Sequence, residues 1–386
     1  MARHLLVTND YPPKTGGIQV YLHELWRRLE PGRAVVLTAS SHDGAEGFDA
    51  TSEVVIERVD ASTLYLPTRR TLHMIERAIE RHQPDLVLLD PAWPLGLLGP
   101  RLSRPYGVVL HGAEVAVPGR LPFVASSMRY VLRHASVALC AGSYPEHEAR
   151  RVSAEFMPPV IQIPPGVDTR EFRPLDAKER EDVRRSLGIE TETALVTSYS
   201  RLVPRKGMDT LIRASARLTK DHVKLRVQIG GSGRDRDRLE HLTKKLDAPV
   251  TFLGRVPDAE LSSWLAASDL MVMDCRSRWL GLEQEGFGIV FLNAASCAVP
   301  AIAGRSGGSH EAVVDRVTGV VLRRPRSVRM LADAIALLLS DDATRANYAS
   351  AARDVAVSHF DWNVLSASLG QELARFDHYE SEKQLA

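Results

Sequence analysis

The sequence predicts an α/β protein of two doubly wound domains that face each other across a cleft, each a parallel sheet covered by helices. Short apolar and β-branched runs alternate with helical patterns along the whole chain of 386 residues. Most of these runs are apolar at every position, which is typical of parallel strands buried on both faces. The chain length also suits two domains better than one core.

The predicted strands fall into two groups, one in each half of the chain. In the first half they are Leu5–Thr8, Ala34–Leu37, Val54–Ile56, Leu86–Leu89, Gly107–Leu110, Val137–Cys140 and Ile161–Ile163. In the second half they are Ala194–Ser198, Leu225–Ile229, Val250–Leu253, Leu270–Met273, Pro300–Ala303 and Gly319–Leu322. Ligands bind beyond the carboxyl ends of the strands in such sheets, so polar residues that follow a strand are the first candidates for a site.

Residue spacing also predicts the first helix of the chain. Apolar residues recur at helical spacing on one face, namely Ile18, Tyr21, Leu22, Leu25 and Leu29. This pattern is typical of a helix that covers a sheet with one side and meets water with the other.

The domain boundary is predicted at Pro164–Asp168, where two prolines and a glycine can continue neither a strand nor a helix. We therefore expect an N-terminal domain of residues 1–166 and a C-terminal domain of residues 167–360. Residues 361–386 are predicted to hold a last helix, from about Trp362 to Phe376, that packs back on the N-terminal domain.

Composition excludes several classes of protein. The net charge of +1 gives no general reason to expect a nucleic-acid partner. The three cysteines, Cys140, Cys275 and Cys297, are scattered and predict small buried side chains in a reducing compartment. No run reaches the roughly 18 apolar residues of a membrane span, and the N-terminus resembles a strand rather than a signal peptide. We expect a cytoplasmic protein whose membrane contact, if it has one, is peripheral.

Two cations follow the strand Ala194–Ser198. Arg201 and Lys206 stand in a turn that is closed by Gly207. An arginine can hold two phosphate oxygens and a lysine adds a compact charge, so the pair suits a diphosphate. The alternative is a solvated pair of surface cations.

A carboxylate on a glycine-rich turn comes later in the chain. Glu285 is followed by Gly286 and Gly288, and the backbone N–H groups of Gly288, Ile289 and Val290 are predicted to begin a helix. Such N–H groups favour phosphate, and a carboxylate beside a phosphate suits the hydroxyls of an attached sugar. Together with the cations, this turn points to a nucleotide sugar.

Further candidates follow other predicted strands. They are the paired glycines Gly16 and Gly17, His111, the glycines Gly231 and Gly233, and the pair Arg255 and Val256. Glycines at these positions allow close approach of a ligand to the backbone, and Arg255 and Val256 could meet a base edge. Plain tight turns, a flexible loop and a structural histidine remain the alternatives.

A mixed basic helix is predicted over residues 68–81. Leu72, Ile75 and Ile79 share its apolar face. Its exposed arginines, Arg69, Arg70 and Arg77, are candidates for contact with anionic lipid, whereas the plainer interpretation is a solvated helix that covers a sheet.

Taken together, these motifs resemble those of the retaining glycosyltransferases of family 4, which have two facing Rossmann-like domains in the GT-B fold. The matching residues run in order along the chain: Gly16-Gly17, His111, Pro165-Gly166-Val167-Asp168, Arg201 with Lys206, Gly231-Ser232-Gly233, Glu285 and Ser306-Gly307-Gly308. The segments 9–19, 201–207 and 285–292 are most similar to those of actinobacterial phosphatidylinositol mannoside mannosyltransferases, which use GDP-mannose.

The resemblance implies roles for these residues. Arg201 and Lys206 would hold the donor diphosphate, Glu285 the donor sugar, and His111 would touch the sugar near the reacting carbon. Gln19 would approach the acceptor, which the resemblance places on the N-terminal domain, with the donor on the C-terminal domain. It also implies a lipid acceptor at the inner face of the plasma membrane, with no metal and no cofactor besides the nucleotide sugar.

One position departs from the family pattern. A second glutamate is expected eight residues after Glu285 to bind the ribose hydroxyls, but Asn293 stands there. An amide lacks the charge assistance that roughly doubles the strength of a hydrogen bond. A smaller departure is His310, where proline is common before the acid at Glu311.

Three alternatives remain open at the level of sequence. One is a transferase of the same family with another nucleotide sugar or a soluble acceptor. A second is a nucleotide-sugar epimerase on the same fold, although no pair of acid and base residues stands out for it. The third is a binding protein without catalysis, in which Asn293 marks the lost activity.

Overall fold

A computed structural model describes residues 3–40, 43–153 and 156–377 of the chain. The chain divides into two compact units, one of Met1–Pro165 with Trp362–Ala386 and the other of Gly166–Asp361. The first boundary lies one residue before the predicted end of the N-terminal domain at residue 166. The second lies one residue after the predicted end of the C-terminal domain at residue 360.

The first unit is built on a seven-stranded parallel sheet. Its strands are β1 (His4–Thr8), β2 (Ala34–Ala39), β3 (Val55–Val59), β4 (Leu86–Asp90), β5 (Tyr106–Leu110), β6 (Val137–Cys140) and β7 (Val160–Gln162). They lie in the order β3-β2-β1-β4-β5-β6-β7. Its helices are α1 (Gly17–Trp26), α2 (Ala45–Ala50), α3 (Arg69–His82), α4 (Ala113–Ala116), α5 (Pro122–His134) and α6 (Ser143–Ser153), with short 3-10 helices at Leu95–Arg101 and Pro118–Arg120.

The second unit repeats this design with a six-stranded parallel sheet. Its strands are β8 (Ala194–Tyr199), β9 (Leu225–Gly230), β10 (Val250–Gly254), β11 (Leu270–Met273), β12 (Ala301–Gly304) and β13 (Gly319–Leu322). They lie in the order β10-β9-β8-β11-β12-β13. Its helices are α7 (Ala177–Ser186), α8 (Met208–Lys220), α9 (Arg236–Leu246), α10 (Asp258–Ala266), α11 (Ile289–Ser296), α12 (Val328–Ser340) and α13 (Asp342–His359), with 3-10 helices at Pro204–Lys206 and Trp279–Gly281.

The chain returns to the first unit through α14 (Trp362–Leu373), which a 3-10 helix at Ala374–Phe376 follows. The hydroxyl of Ser366 on α14 donates a 2.9 Å hydrogen bond to the carbonyl of Leu25 on α1. Leu365 and Leu369 of α14 are buried in the same apolar core as the inner face of α1. The last helix therefore covers the first sheet next to α1.

Both sheets reverse their strand order at one point. The order turns between β1 and β4 in the first unit, and between β8 and β11 in the second. The crossovers on either side of such a point diverge, which opens a crevice beyond the carboxyl ends of the strands. Each unit therefore has one place where the fold itself favours a ligand.

The prediction that the strands are buried on both faces is wrong at two sheet edges. Strand β3 is longer than the predicted Val54–Ile56, and its first residue, Val55, is 51% exposed. Strand β10 is also incompletely buried. Each pairs with a neighbour on one side only, so nearby helices cover it less completely than the central strands.

Candidate functional site

A buried cluster of charged side chains lies beyond the carboxyl end of β8. The Nζ atom of Lys206 is 2.8 Å from Oε2 of Glu285, and Nε of Arg205 is 3.5 Å from the same oxygen. Lys206 and Glu285 are both only 7% exposed. The structure thus brings together two of the residues that the sequence predicts for a nucleotide sugar, and adds Arg205. We call these three residues the Lys206–Glu285 cluster.

Positive charge exceeds negative charge at this cluster. Burial on its own would raise the pKa of Glu285, but the charge and hydrogen bond of Lys206, with the charges of Arg205 and Arg201, lower it. Arg201 is exposed and forms no side-chain ion pair with any described residue. Glu285 is therefore ionised at neutral pH. Glu283 lies 3.7 Å from Arg205 and offsets part of its charge, so Arg201 is the cation that is left for an anionic ligand.

The backbone beside Glu285 is packed against a second glycine turn. A Cβ atom on Gly307 would lie 2.1 Å from the carbonyl oxygen of Glu285, and one on Gly308 would lie 2.1 Å from that of Gly286. The amide of Gly308 donates a 3.0 Å hydrogen bond to the carbonyl of Glu285. Only glycine allows this approach, so the turn at Ser306 fixes the backbone that carries the carboxylate.

Helix α11 begins directly after this turn. Gly288 has φ of +86° and serves as the N-terminal cap, so the backbone N–H groups of Ile289 and Val290 stand at the helix start as predicted. Asn293 lies one turn further along and is partly buried, and its side chain forms no hydrogen bond with a described residue.

The other predicted residues of this unit lie beyond neighbouring strands. Gly231 and Gly233 follow β9, and a Cβ on either would come within 2.3 Å or less of a backbone oxygen of the segment that carries Arg201. Arg255 and Val256 follow β10, the edge strand. They share the carboxyl edge of the sheet with the Lys206–Glu285 cluster but form no side-chain hydrogen bond or ion pair with it among the described residues.

In the first unit, a second buried cluster lies where β1, β4 and β5 end. Nε2 of His111 is 2.8 Å from Oδ1 of Asp90. The hydroxyl of Thr8 donates a 2.5 Å hydrogen bond to the other oxygen of Asp90. Asp90 and Thr8 are 1% and 0% exposed. We call these three residues the Asp90–His111 cluster.

The charge state of His111 is set by its carboxylate neighbours. Burial on its own would lower the pKa of His111, but the charge and hydrogen bond of Asp90, with the charges of Glu114 and Asp10, raise it. The ring also packs edge-on against Tyr21, with ring centroids 5.5 Å apart. This histidine is therefore fixed in orientation and biased towards the charged form.

Asp90 and Thr8 were not among the predicted site residues. The signal was present, because Asp90 directly follows the apolar run Leu86–Leu89 at the carboxyl end of a strand. What the sequence did not show is that β4 lies between β1 and β5, which brings Thr8, Asp90 and His111 together.

The first βα turn is held by a network of its own. The side-chain amide of Gln19 donates a 2.7 Å hydrogen bond to Oδ1 of Asp10, and Lys14 pairs with the same oxygen. Gln19 is only 7% exposed. A Cβ on Gly16 would lie 2.3 Å from the Gln19 side chain, so this glycine leaves room for the network, and helix α1 begins at Gly17.

The predicted lipid-facing arginines are exposed. Arg69, Arg70 and Arg77 lie on the outer side of α3, while Ile75 and Ile79 are buried against the sheet. No apolar stripe of α3 is therefore free. No helix among residues 3–40, 43–153 and 156–377 is both long and apolar enough to span a bilayer.

Exposed apolar side chains lie at a different helix of this unit. Phe123, in the first turn of α5, is 92% exposed, and Leu121 just before it is 53% exposed. Further along, the guanidinium carbon of Arg133 is 4.5 Å from the ring centroid of Phe156. No motif of the sequence predicted this surface.

Comparison with known proteins assigns each half of the chain to a glycosyltransferase family model. Residues 15–171 match the family model described as Glycosyltransferase Family 4, and residues 179–355 match the one described as Glycosyl transferases group 1. The chain is 37% identical over 385 residues to a Mycobacterium tuberculosis protein named GDP-mannose-dependent alpha-(1-6)-phosphatidylinositol monomannoside mannosyltransferase. The match covers 97% of this chain and 98% of that protein.

Two further comparisons agree with this assignment. A Corynebacterium glutamicum protein named GDP-mannose-dependent monoacylated alpha-(1-6)-phosphatidylinositol monomannoside mannosyltransferase is 33% identical over 372 residues, which cover 95% of this chain and 96% of that protein. The crystal structure of Anabaena HepE in complex with UDP has a TM-score of 0.80 at 22% identity and covers 97% of this chain and 100% of that one. The chain therefore belongs to glycosyltransferase family 4 and is a glycosyltransferase with the GT-B fold.

Proposed function

We propose that this glycosyltransferase moves mannose from GDP-mannose to a lipid-linked acceptor, a phosphatidylinositol monomannoside, with retention of the α configuration. The observation that supports this most is the Lys206–Glu285 cluster, with Arg201 exposed beside it. It combines an ionised carboxylate with surplus cations at a helix start. Relatives that are 33–37% identical over nearly the whole chain carry the name of this activity.

The donor is bound by charge and by hydroxyl recognition. Arg201 and Lys206 hold the diphosphate, helped by the free N–H groups at the start of α11, with Gly288 as its cap. Lysine has three N–H donors, so Lys206 can keep its contact with Glu285 and still donate to phosphate oxygens. The ionised Glu285 accepts hydrogen bonds from the sugar hydroxyls, which orients the ring.

Chemistry follows from stabilising the leaving group. As the bond between the sugar and the diphosphate breaks, negative charge grows on the phosphate, and Arg201 and Lys206 neutralise it. The acceptor hydroxyl attacks from the face that the diphosphate leaves, and a phosphate oxygen takes its proton. His111, held by Asp90, contacts the sugar near the reacting carbon. Neither a metal ion nor a cofactor enters this scheme.

The lipid acceptor implies contact with the inner face of the plasma membrane. Helices α3 and α5 contribute buried side chains to one core, so their outer surfaces lie on the same side of the first sheet. Those surfaces carry the exposed arginines Arg69, Arg70 and Arg77, and the exposed Phe123. Cations attract anionic headgroups and an exposed aromatic ring can enter the interface, which supports a peripheral contact here.

The activity is tested with the purified full chain and vesicles that contain phosphatidylinositol monomannoside. We expect GDP-[14C]mannose to label the extracted lipid, and NMR of the product to show an α linkage. A β linkage in the labelled product would contradict retention. Binding of GDP-mannose without transfer to lipid or water would contradict a catalytic role and favour a binding protein.

The membrane contact is tested by charge reversal. Changing Arg69, Arg70 and Arg77 to Glu should weaken binding to anionic vesicles by at least about 100-fold, since each basic residue contributes about 1 kcal/mol. The matched control reverses the same number of exposed cations in the second unit, at Lys220, Lys224 and Arg226, and should change binding little. Equal losses in both triple variants would contradict a specific contact through α3.

A second candidate is use of a different nucleotide sugar, for which the replacement of a carboxylate by Asn293 leaves room. Without the second carboxylate, the ribose end of the donor site has lost charge-assisted bonding. UDP-glucose and GDP-glucose in the same assay separate the two candidates. Faster turnover of either one than of GDP-mannose would replace the proposed donor.

A further inference from the structure

A separate cavity in the second unit is lined by arginines. It has a volume of about 230 Å³ and lies between the first turns of α8 and α12 and the segment after β11. Its lining residues are Asp209, Thr210, Arg213, Arg276, Arg326 and Val328. Neither Lys206 nor Glu285 belongs to the lining, so this cavity is distinct from the proposed donor site.

Positive charge is in excess within this cavity. Arg276 is only 8% exposed, and its guanidinium lies 2.8 Å from Asp209. Arg213 and Arg326 line the same space, are exposed, and have no side-chain partner among the described residues. Three guanidinium groups and one carboxylate line the cavity, and the buried Asp274 carboxylate interacts with Arg276 from behind, so positive charge is still in excess after both carboxylates are counted.

The buried arginine retains an unused donor. Nε of Arg276 is buried and has no hydrogen-bond partner among the described residues, while its other nitrogens reach Asp209 and the hydroxyl of Thr210. A buried N–H without a partner costs free energy. An oxyanion in the cavity would supply acceptors for this guanidinium and for those of Arg213 and Arg326.

The backbone on either side fits the same ligand. The first turns of two helices of 13 residues each line the cavity, and helix starts favour negative charge. Arg326 has φ of +79°, and its amide is held by a 2.9 Å hydrogen bond to Oδ2 of Asp274. This bond fixes the backbone of Arg326 beside the cavity.

We propose that this cavity binds a phosphate group that carries two negative charges. The ligand class is inorganic phosphate or a phosphate monoester, because its negative charge meets the excess of arginines and its oxygens suit forked guanidinium donors. The source is either a free phosphate or the headgroup of a lipid such as phosphatidic acid.

The site is also connected to the donor-binding turn. The amide of Arg276 donates a 2.9 Å hydrogen bond to the carbonyl of Arg205, and Asp209 lies three residues after Lys206. A phosphate that draws the Arg276 guanidinium away from Asp209 would therefore act next to the turn that carries Lys206. The phosphate site itself does not depend on which sugar donor the enzyme uses.

Titration calorimetry of the full chain with inorganic phosphate at low ionic strength tests the proposal. The double variant Arg213→Gln/Arg326→Gln should weaken phosphate binding by about tenfold or more, a change of roughly 1.4 kcal/mol. Both side chains are exposed and have no ion pair or hydrogen bond with a described residue, so the fold should be retained, and a thermal unfolding curve checks this. Arg226→Gln, which removes an exposed arginine away from the cavity, should bind phosphate as the parent does.

Two further experiments separate this cavity from the proposed donor site and identify the source of the phosphate. Inorganic phosphate also suits the proposed donor site, so the titration is repeated with Lys206→Met, in which that site is weakened and the phosphate that still binds belongs to the arginine cavity. Phosphate binding to Lys206→Met that is unchanged when Arg213→Gln and Arg326→Gln are added, or that is absent from Lys206→Met itself, would overturn the proposal. Vesicles with phosphatidic acid then identify the source: weaker vesicle binding by the double variant indicates a lipid headgroup, and unchanged vesicle binding indicates a free phosphate.

Discussion

The two units share one sheet topology, yet the buried pairs at their switch points differ in the charge around them. In the first unit, both oxygens of Asp90 are used inside the protein, by His111 and by Thr8. In the second, Glu285 contacts Lys206 at 2.8 Å, and Arg205 is 3.5 Å away. The first pair is balanced, whereas the second has more cations than it needs.

This difference shows how one fold acquires two kinds of site. A crevice at a switch point is common to both sheets, but only surplus cations attract a diphosphate. A balanced histidine–carboxylate pair instead fixes the orientation and protonation of one ring. Function therefore follows from the residues placed on the fold rather than from the fold itself.

The largest expected effect comes from removing the surplus charge. Lys206→Met should lower turnover of the nucleotide sugar by about 10²- to 10³-fold, because one stabilising contact to the leaving diphosphate is lost. Steady-state kinetics with GDP-mannose measure this. Lys220→Met, at the exposed end of α8, is the matched control.

Loss of Lys206 also leaves the Glu285 carboxylate buried with a weaker partner, which costs about 3–5 kcal/mol when such a pair is broken. Lys206→Arg keeps the charge and should restore stability and part of the turnover. Normal turnover in Lys206→Met would mean that the surplus charge has no catalytic role.

The next effect is on the balanced pair. Asp90→Asn keeps a side chain of the same shape but removes the charge that raises the pKa of His111, so that pKa should fall. The His111 ring would also be held less firmly in this variant, and its misplacement should lower turnover by up to about 100-fold. NMR titration of the histidines, with His111→Gln to assign the signal, reads the pKa directly. An unchanged His111 titration would show that Asp90 does not set its charge.

Neither cluster could be derived completely from sequence. Lys206 and Glu285 were predicted as members of one site because cations after a strand and a carboxylate on a glycine-rich turn before a helix together suit a nucleotide sugar. The link between Asp90 and His111 was missed because it depends on the strand order, which brings β4 beside β5. Residue spacing gives strands and helices, but it does not give their neighbours across a sheet.

The same reason explains two other differences. Gln19 was predicted for the acceptor from the family resemblance, but its bond to Asp10 depends on how that loop folds. The arginine cavity joins Arg213, Arg276 and Arg326, which are far apart in the chain. Nothing in a local pattern connects them.

A smaller effect is expected from completing the carboxylate set of the second unit. Asn293→Glu places a charged acceptor eight residues after Glu285. If Asn293 faces the donor ribose, the KM for the nucleotide sugar should fall by about five- to tenfold, since a charged hydrogen bond exceeds a neutral one by about 1 kcal/mol. Asn293→Gln, which lengthens the side chain without charge, is the control. A higher KM in Asn293→Glu would place the ribose elsewhere.

The smallest effect, on stability, should have opposite signs with pH in the two units. The raised pKa of His111 gives stability that is complete below its ordinary value of 6.5 and is lost as pH rises through the folded value. The lowered pKa of Glu285 gives stability that is present above 4.5 and is lost as pH falls through the folded value.

Urea unfolding of the parent, His111→Gln and Glu285→Gln over a pH series measures this contrast. The difference from the parent should shrink towards high pH for His111→Gln and towards low pH for Glu285→Gln. Parallel pH trends in the two variants would remove the electrostatic distinction between the clusters.

The central claim is that the surplus charge of the second unit binds the donor, whereas the pair in the first unit acts after binding. Titration calorimetry with GDP-mannose on the parent, Lys206→Met and Asp90→Asn tests it most directly. We predict that Lys206→Met loses most of the donor affinity, while Asp90→Asn binds GDP-mannose as the parent does despite its slower turnover. Equal loss of affinity in the two variants, or parental affinity in Lys206→Met, would contradict the claim.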